Sequence, residues 1–575
     1  MNLRGSFSLL VATAVVGCSK APTVTPEPVR ADRFDVLIHG GRIVDGTGAA
    51  WFYGDLGIVG DRIAEIAPPG QLDDVPATSR VDANGLVVAP GFIDIQSHSR
   101  GAFLYGDGRV VSKITQGITT EIMGESTTNA PANLLTLSED GQPDSAVVAR
   151  NAPFMEPRGF NNWLEAMEEH GTTPNIGSFV GATTIRVYGK GMAQGPSTPT
   201  ELDSMRAATR NAMEDGAFGI ASALIYPPGN FASTEELIEI NRVAAEYGGV
   251  YITHMRSEAD QFLEAIDEAI EIGRESGVPV EIYHLKAAGQ ANWPKAALAI
   301  AKIDSARTAG QDVQANMYPY VAGGTGLTAC LPPWASADGK LFENLADEEM
   351  RARIKEEVLN QTTNWENLCG QATPEGVLIL GLLQEENQQY VAMRLSEIAE
   401  QMGVHWVDAA IDLILSEEQR VGTIYFLMSE ENVALQLQQP WMKFGTDAGG
   451  VDPDSADGLV HPRSYGTFPR ILGRYVREQN VIPLEDAVRK MSSAVATRLS
   501  IHDRGVLKTG MFADIVVFNP ETIIDNATFE EPHQVSSGME HVFVNGVEVV
   551  RYGVHTGAKP GRIVRGPGYT GPGAR

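Results

Sequence analysis

The sequence is poor in cysteine and in positive charge. Three cysteines, Cys18, Cys330 and Cys369, occur in 575 residues, too few for a disulfide framework or a multi-cysteine zinc ribbon. The 73 acidic residues outnumber the 44 basic ones, and the formal net charge is −29. This acidity argues against nucleic-acid binding, which needs a basic surface to replace phosphate counterions. We interpret it as favouring solubility, and we expect no nucleic-acid partner.

The apolar run at the start of the chain is also short. It holds about a dozen residues, too few to span a bilayer, and it lies between Arg4 and the stretch "VVGCSK", the layout of a secretory signal. The triplet before Cys18 resembles the bacterial lipobox, in which the cysteine is lipidated. We therefore expect a signal peptide over residues 1–17 and a polar, proline-rich tether over 18–33. An ordinary cleaved signal with an incidental cysteine is the alternative.

This pattern predicts an exported protein with a lipid anchor at Cys18. Ser19, directly after the cysteine, resembles the outer-membrane sorting pattern. We expect attachment to a bacterial membrane, facing the periplasm or the cell surface. No obligate protein partner is evident from the sequence.

The sequence patterns at both ends of the chain are typical of β-strands. Apolar and polar residues alternate in "FDVLIHGGRIVDGTG" and "DLGIVGDRIAEIAP", and again in "MFADIVVFNPETI" and "MEHVFVNGVEVVRYG" near the C-terminus. Glycine, aspartate and asparagine separate these segments, as in turns. We predict one small β-sandwich domain built from residues 34–90 and 501–567, with the rest of the chain inserted between them.

The middle of the chain alternates strands with helices. Helical runs such as "STEELIEINRVAAEYG" have apolar residues at helical spacing and end at glycine. Eight strands alternating with helices predict an α/β fold, a (β/α)8 TIM-like barrel over residues 91–500. An extra segment, about 321–376, is expected to form a lid. The eight candidate strands are "GFIDIQSH", "ITTEIMGE", "NIGSFVGA", "AFGIASALIY", "GVYITHMR", "PVEIYHLK", "DVQANMYPY" and "KFGTDAGG".

Acidic and imidazole side chains stand at the ends of these strands. In a barrel the carboxyl ends of all strands meet at one mouth, where the active site forms. A single strand histidine is more often a packed or surface residue, and an aspartate before "AGG" fits a turn. The shared position favours a site for a divalent ion with an open position for water. The acidic and imidazole residues concerned are His98, Glu125, His254, His284 and Asp447, and Gln96 lies on the same strand end as His98.

These motifs resemble the amidohydrolase superfamily and, within it, the N-acyl-D-amino-acid deacylases, or D-aminoacylases. The resemblance runs from about residue 34 to about 567. It rests on "PGFID", on "GAFGIASALIYPPGNFASTEELIEINRVAAEYGGVYITHMRSE", on "EAIDEAIEIGRESGVPVEIYHLKAAG" and on "DRGVLKTGMFADIVVFNP". The stretch "HPRSYGTFPRILGRYVRE" is specific to the deacylase branch. The resemblance implies zinc-dependent hydrolysis of linear C–N amide bonds.

The resemblance also implies roles for individual residues. His254 and His284 match two histidine ligands of zinc, and Asp447 matches an aspartate that contacts metal and transfers protons. His98 matches the second histidine of a His-x-His pair. Glu125 stands where the family usually has a bridging cysteine, and a carboxylate is anionic and able to bridge.

Gln96 occupies the first place of that His-x-His pair. A neutral amide oxygen is a poorer zinc ligand than imidazole, so we expect one tightly bound Zn2+ and a second site that is weak or absent. The same ligands also suit Mn, Fe or Co. In the deacylases a lysine, a tyrosine and an arginine hold the substrate α-carboxylate, and Lys286, Tyr318 and Arg463 match them.

The expected activity is hydrolysis of a small-molecule N-acyl-D-amino acid, with Asp447 as general base and then general acid. A hydantoinase-like or dihydropyrimidinase-like hydrolase of cyclic amides is one alternative. Gln96 and the lack of a suitable lysine after "IMGE" argue against it. A dipeptidase acting on D-residues is another alternative, and an inert ligand-binding lipoprotein is the non-enzymatic one.

Overall fold

The computed structural model describes residues 31–138, 142–360, 365–456 and 458–571. The predicted signal peptide, Cys18 and most of the tether lie outside these ranges. No helix in the described ranges has the length and apolar character needed to cross a membrane.

The β-strands, in chain order, are β1 (Phe34–Ile43), β2 (Phe52–Val59), β3 (Arg62–Ala67), β4 (Ala77–Asp82), β5 (Val87–Pro90), β6 (Phe92–Asp94), β7 (Ile118–Met123), β8 (Asn175–Ser178), β9 (Val180–Gly181), β10 (Gly219–Ala223), β11 (Val250–His254), β12 (Val280–Ile282), β13 (Val313–Met317), β14 (Ala322–Gly326), β15 (Val377–Ile379), β16 (Gly422–Phe426), β17 (Met442–Phe444), β18 (Ile515–Phe518), β19 (Met539–Val544), β20 (Val547–Arg551) and β21 (Val554–His555).

The α-helices are α1 (Arg100–Leu104), α2 (Val111–Ile114), α3 (Leu134–Leu137), α4 (Ser145–Asn151), α5 (Gly159–His170), α6 (Ala182–Lys190), α7 (Pro199–Glu214), α8 (Thr234–Glu246), α9 (Phe262–Ser276), α10 (Lys295–Thr308), α11 (Leu341–Ala346), α12 (Glu348–Leu359), α13 (Leu368–Ala372), α14 (Leu395–Met402), α15 (Trp406–Glu417), α16 (Glu430–Leu437), α17 (Arg463–Arg470), α18 (Leu484–Met491) and α19 (Ser493–Arg498). A π-helix, Ile471–Glu478, continues α17. The 3-10 helices are Ala152–Met155, Gly229–Phe231, Gln290–Asn292, Leu327–Cys330, Pro333–Gly339, Pro374–Gly376 and Glu385–Tyr390.

Parallel strands close into the predicted barrel. One sheet runs β6-β7-β8 and another runs β9-β10-β11-β12-β13-β17, with β9 continuing directly from β8. A parallel bridge between Ser97 and Ala448 joins the ends of β6 and β17 and closes the circle. Every residue of β7, β10 and β11 is buried, as expected for parallel strands covered on both faces. The prediction of an α/β barrel with an attached β-rich domain is confirmed.

The helices around the barrel follow from their sequence patterns. In α8, Ser233 caps the first turn by accepting a hydrogen bond from the backbone N–H of Glu236, and Leu237 and Ile240 lie on the buried face. Helix α9 ends at Gly277, whose φ of +77° suits glycine. Capping and amphipathic spacing thus fix the two helices next to β11 and β12.

Strands from both chain ends form one nine-stranded sheet. Strand β1 pairs antiparallel with β2 on one side and parallel with β4 and then β5 on the other, and β18 pairs antiparallel with β5. Beyond His555 the chain leaves this sheet and lies against the barrel, where Ile563 bridges to Ile176 and the Gly566 N–H donates to Gly216 O. The predicted C-terminal part of the domain, 501–567, therefore includes a segment that packs elsewhere.

The insertion between β13 and β17 is longer than the predicted 321–376. It forms an antiparallel sheet in the order β14-β16-β15 and contains α11 to α15. The predicted boundary lies before the apolar, strand-like run "GVLILGLL", but the buried residues of this run form β15, which pairs inside the insertion. The insertion shares a buried cluster with Ala259 and Ala288, in the loops that follow β11 and β12.

A single disulfide joins Cys330 and Cys369 inside the insertion. Three cysteines exclude a framework of several disulfides, and nothing in the sequence indicated this one bridge. The two cysteines are 39 residues apart, and neither lies in a motif that indicates pairing. The bridge ties the segment after β14 to α13.

Candidate metal centre and active site

Three of the predicted ligands lie together at the carboxyl ends of their strands. Glu125 follows β7, His254 ends β11 and His284 follows β12, and their ligand atoms all lie within 4.8 Å of one another. Glu125 Oε1 is 3.5 Å from His254 Nδ1 and 3.7 Å from His284 Nε2. One carboxylate and two imidazoles, with space for water, match the ligand set of a catalytic zinc site.

A second group shares Glu125 with the first. His98, Glu125 and Asp447 also bring their ligand atoms within 4.8 Å of one another. His98 Nε2 is 3.0 Å from Asp447 Oδ1 and 3.5 Å from Glu125 Oε2. Glu125 thus faces both groups, one with each oxygen, the arrangement that a bridging carboxylate needs.

The backbone of two of these site residues, His284 and Asp447, is in the left-handed region. His284 has φ of +31° and Asp447 has φ of +52°, a conformation that costs energy for residues other than glycine. Gly124, before Glu125, has φ of +111°, and a Cβ there would lie 2.2 Å from the carbonyl oxygen of Phe179. The chain tolerates these conformations at the strand ends that carry the site.

Gln96 contacts Glu125 directly. Its Nε2 donates to Glu125 Oε2 at 2.6 Å, and its backbone oxygen accepts from the N–H of Asp447 at 2.8 Å. The side-chain Oε1 of Gln96 is buried and has no hydrogen-bond partner in the described ranges. Gln96 therefore orients the shared carboxylate, although it contributes no imidazole.

A buried ion pair holds the loops below Gln96 and Asp447 in place. Lys113 Nζ donates to Asp94 Oδ2 at 2.7 Å, and both side chains are fully buried. Asp94 Oδ1 accepts from the backbone N–H groups of Gln96 at 3.1 Å and Thr446 at 2.9 Å. These bonds fix the backbone that presents two site residues.

The residues predicted to bind the substrate carboxylate lie beside the predicted metal ligands. Arg463 Nη1 is 2.6 Å from Asp447 Oδ2, and its Nη2 donates to Gly324 O at 3.2 Å. The guanidinium carbon lies 4.6 Å from the ring centre of Tyr318. Burial opposes ionisation of Asp447, but Arg463 and His284 outweigh it and lower its pKa from 3.8 to about 2. Asp447 is therefore a carboxylate at neutral pH.

All the predicted site residues except Cys18, which lies outside the described ranges, line one cavity of about 610 Å3. They are His98, Glu125, His254, His284, Lys286, Tyr318, Asp447 and Arg463. A cavity of this size matches small-molecule sites in other proteins.

Comparison with known proteins agrees with this geometry. A model of the amidohydrolase family matches residues 407–550. The D-aminoacylase of Alcaligenes xylosoxydans xylosoxydans is 35% identical over 531 residues, which cover 92% of this chain and 97% of that protein. This chain belongs to the D-aminoacylase family. The family assignment made from the sequence motifs is confirmed.

Two solved structures of the family resemble this one closely. The N-acyl-D-glutamate deacylase of Bordetella bronchiseptica, complexed with zinc and a phosphonate inhibitor that mimics the tetrahedral intermediate, has a TM-score of 0.76 and 32% identity and covers 93% of this chain and 100% of its own. A D-aminoacylase with a binuclear metal centre has a TM-score of 0.75 and 33% identity, over 92% of this chain and 100% of its own. Both are metal-containing members of the family.

Sequence reasoning missed Glu258. Its Oε1 is 2.9 Å from His284 Nδ1 and 2.6 Å from Lys286 Nζ, and its Oε2 is 3.7 Å from His254 Nε2. A carboxylate behind a ligating histidine fixes the ring and raises its basicity. The spacing of His254 and Glu258 in "HMRSE" is the only signal in the sequence, and it is equally common on surfaces.

The donor set fits a metal ion. Glu125 is anionic, because hydrogen bonds and charges from the surrounding histidines outweigh burial and hold its pKa well below the ordinary value. His254 Nδ1 and His284 Nε2 both face Glu125 Oε1, at 3.5 and 3.7 Å, so one cation between them would contact all three side chains. A bound cation would balance the buried carboxylates that converge here.

Proposed function

We propose that this protein is a metal-dependent deacylase that hydrolyses the amide bond of N-acyl-D-amino acids to a carboxylate and a free D-amino acid. The observation that carries the proposal is the convergence of Glu125, His254 and His284 beside Asp447 and Arg463 in one cavity. Membership of the D-aminoacylase family supports the same reaction.

A zinc ion held by Glu125, His254 and His284 would supply an activated water and polarise the acyl carbonyl. Asp447 Oδ1 accepts the proton of the attacking water and returns it to the amide nitrogen, which leaves as the amine. His98 Nε2, 3.0 Å from Asp447 Oδ1, holds that carboxylate in position. Water adds across the C–N bond, so no other reactant is needed.

The substrate α-carboxylate binds to Arg463, Tyr318 and Lys286 in this proposal. Arg463 has a fixed, buried guanidinium, and an arginine fork suits a carboxylate. Lys286 Nζ donates to Glu258 at 2.6 Å and lies 5.8 Å from the ring centre of Tyr318. The three side chains define one end of the substrate, and their chiral arrangement selects the D-enantiomer.

A panel of matched substrates tests the function. Purified protein loaded with zinc is assayed on N-acetyl-D-amino acids, on their L-enantiomers, on D-residue dipeptides and on a hydantoin. We expect turnover confined to D-substrates with a linear amide. Preferred turnover of the hydantoin would favour a cyclic-amide hydrolase, and a protein without bound metal and without turnover would be an inert binding protein.

We further propose one tightly bound metal in the wild-type protein, because Gln96 removes an imidazole from the second group. Gln96→His is expected to raise the metal content from about one to about two ions per chain, since imidazole is a strong zinc ligand. Elemental analysis after gel filtration measures the content. Gln96→Met, which lacks both the amide and an imidazole, should stay at one ion, and two ions in the wild type would contradict the proposal.

We also propose that the protein is exported and anchored through Cys18. The disulfide between Cys330 and Cys369 supports an oxidising compartment, where such bonds persist. Cell fractionation tests this proposal: the wild type should enter the detergent phase of the membrane fraction, and Cys18→Ser should not.

A further inference from the structure

Two guanidinium groups line the catalytic cavity without serving the proposed reaction. Arg100, the first residue of α1, lies two positions after His98, and Arg420 immediately precedes the residues that lead into β16. Both side chains line the same cavity as the metal ligands. Neither forms an ion pair with a carboxylate in the described ranges, although the chain as a whole has a net charge of −29.

The other cations of the cavity are paired. Arg463 lies 2.6 Å from a carboxylate oxygen of Asp447, and Lys286 lies 2.6 Å from one of Glu258. Arg100 and Arg420 instead contact neutral oxygens: Arg100 Nη1 donates to Thr127 O, and Arg420 Nη2 donates to Thr325 Oγ1 at 3.3 Å. These bonds orient the two guanidiniums, of which Arg420 is exposed and Arg100 is half-buried. No carboxylate among the described residues neutralises either charge.

The two arginines share one cavity of about 610 Å3 with the predicted catalytic residues. Two like charges that line one cavity of an acidic protein gain from an anion placed between them. Such an anion would come from whatever occupies the cavity.

Strand β14 contacts both Arg420 and Arg463, the arginine of the proposed α-carboxylate site. Gly324 O accepts from Arg463, Thr325 Oγ1 accepts from Arg420, and a Cβ on Gly326 would lie 3.1 Å from the Arg420 side chain. Two residues of strand span about 7 Å. The points at which Arg463 and Arg420 contact β14 are therefore no more than about 7 Å apart along the strand. One small molecule that carries two carboxylates can span this separation.

We propose that Arg100 and Arg420 bind a second anionic group of the substrate, so that the preferred N-acyl-D-amino acids carry a carboxylate besides the α-carboxylate. This inference rests on the proposed deacylase function and specifies its substrate class. The second carboxylate belongs either to the amino-acid side chain or to the acyl group, and both sources offer the same chemistry to the two arginines.

Isosteric pairs of substrates show whether the second carboxylate belongs to the amino-acid side chain or to the acyl group. N-acetyl-D-glutamate is compared with N-acetyl-D-glutamine, and N-succinyl-D-alanine with its succinamic amide. A charge-assisted hydrogen bond contributes enough to change an equilibrium by about 10-fold to 100-fold. We expect kcat/KM for the acid to exceed that for the amide by this factor in one of the two pairs.

The variants Arg100→Gln and Arg420→Gln, alone and together, test whether these two arginines cause the preference for the acid over the amide. We expect them to raise KM for the preferred acid, to abolish the preference in the double variant and to change kcat/KM for the neutral isostere less than twofold. Arg353→Gln is the matched control, because it removes the same charge from an exposed residue of the insertion outside the cavity. Thermal unfolding of each variant detects a loss of folding.

The outcomes separate this inference from the function on which it rests. Equal rates for both members of each pair, with good turnover of neutral N-acyl-D-amino acids, would overturn the second anion site and leave the deacylase. An equal loss of activity on all substrates in the arginine variants would also overturn it, since that result indicates a role in holding loops. Absence of turnover on every D-substrate would overturn the proposed function itself.

Discussion

Asp447→Asn is expected to lower kcat by about 10³- to 10⁴-fold while leaving the metal content unchanged. This range is the upper part of the about 10²- to 10⁴-fold that a positioned general acid or base contributes. The amide has the same shape and keeps its contacts with Arg463 and His98, but it cannot accept the proton of the attacking water. Steady-state kinetics on N-acetyl-D-amino acids and elemental analysis of the same preparation measure the two quantities.

Asp454→Asn is the control for this experiment. Asp454 is an exposed residue of the same loop, so its substitution removes one charge without touching the site. A variant of Asp447 that kept more than a tenth of the wild-type kcat, with metal bound, would contradict the role of this residue. A variant that lost its metal would show that Asp447 is chiefly a ligand.

Much of the site was predictable because a barrel converts sequence position into spatial position. Each residue that directly follows a strand lies at the same mouth. His254 and His284 are 30 positions apart in the sequence, yet their ring centres lie 4.5 Å apart, since β11 and β12 are neighbours in parallel register. The strand pattern alone was enough to bring these side chains together.

The features that were not predicted depend on tertiary packing, which no local sequence pattern encodes. Glu258 belongs to a loop, and its contact with Lys286 follows from the path of that loop over the barrel. The insertion is longer than predicted because the apolar run that forms β15 belongs to the insertion and does not mark its end. Arg420 reaches the cavity only because the insertion folds back over the loops that follow β11 and β12.

Gln96, at the end of the first barrel strand, shows both what the sequence predicts about the site and what it leaves out. The sequence showed that Gln96 replaces an imidazole, which predicted a weaker second metal site. It did not show that the amide donates to Glu125 at 2.6 Å. Gln96 therefore affects both groups of predicted metal ligands, because it orients Glu125, the carboxylate that the two groups share.

Glu125 is the residue on which we expect the proposed metal centre to depend most. It faces His254 and His284 with one oxygen and His98 with the other. Glu125→Gln keeps the volume but removes the charge, so we expect the zinc content to fall below about a tenth of the wild-type value after dialysis, because an amide is a far weaker ligand than a carboxylate. The value of kcat/KM at low zinc should fall by at least about 10³-fold, and added zinc should restore part of it.

Glu125→Cys provides the decisive contrast. A thiolate binds zinc at least as well as a carboxylate does, so this variant is expected to retain about one zinc ion per chain even though it loses the hydrogen bond from Gln96. If charge donation to the metal is the function of position 125, the cysteine variant keeps its zinc and the glutamine variant does not. Retention of zinc by Glu125→Gln would instead place the tight site on the histidines and Asp447, and loss of zinc by both variants would mean that the geometry fixed by Gln96 matters more than the charge.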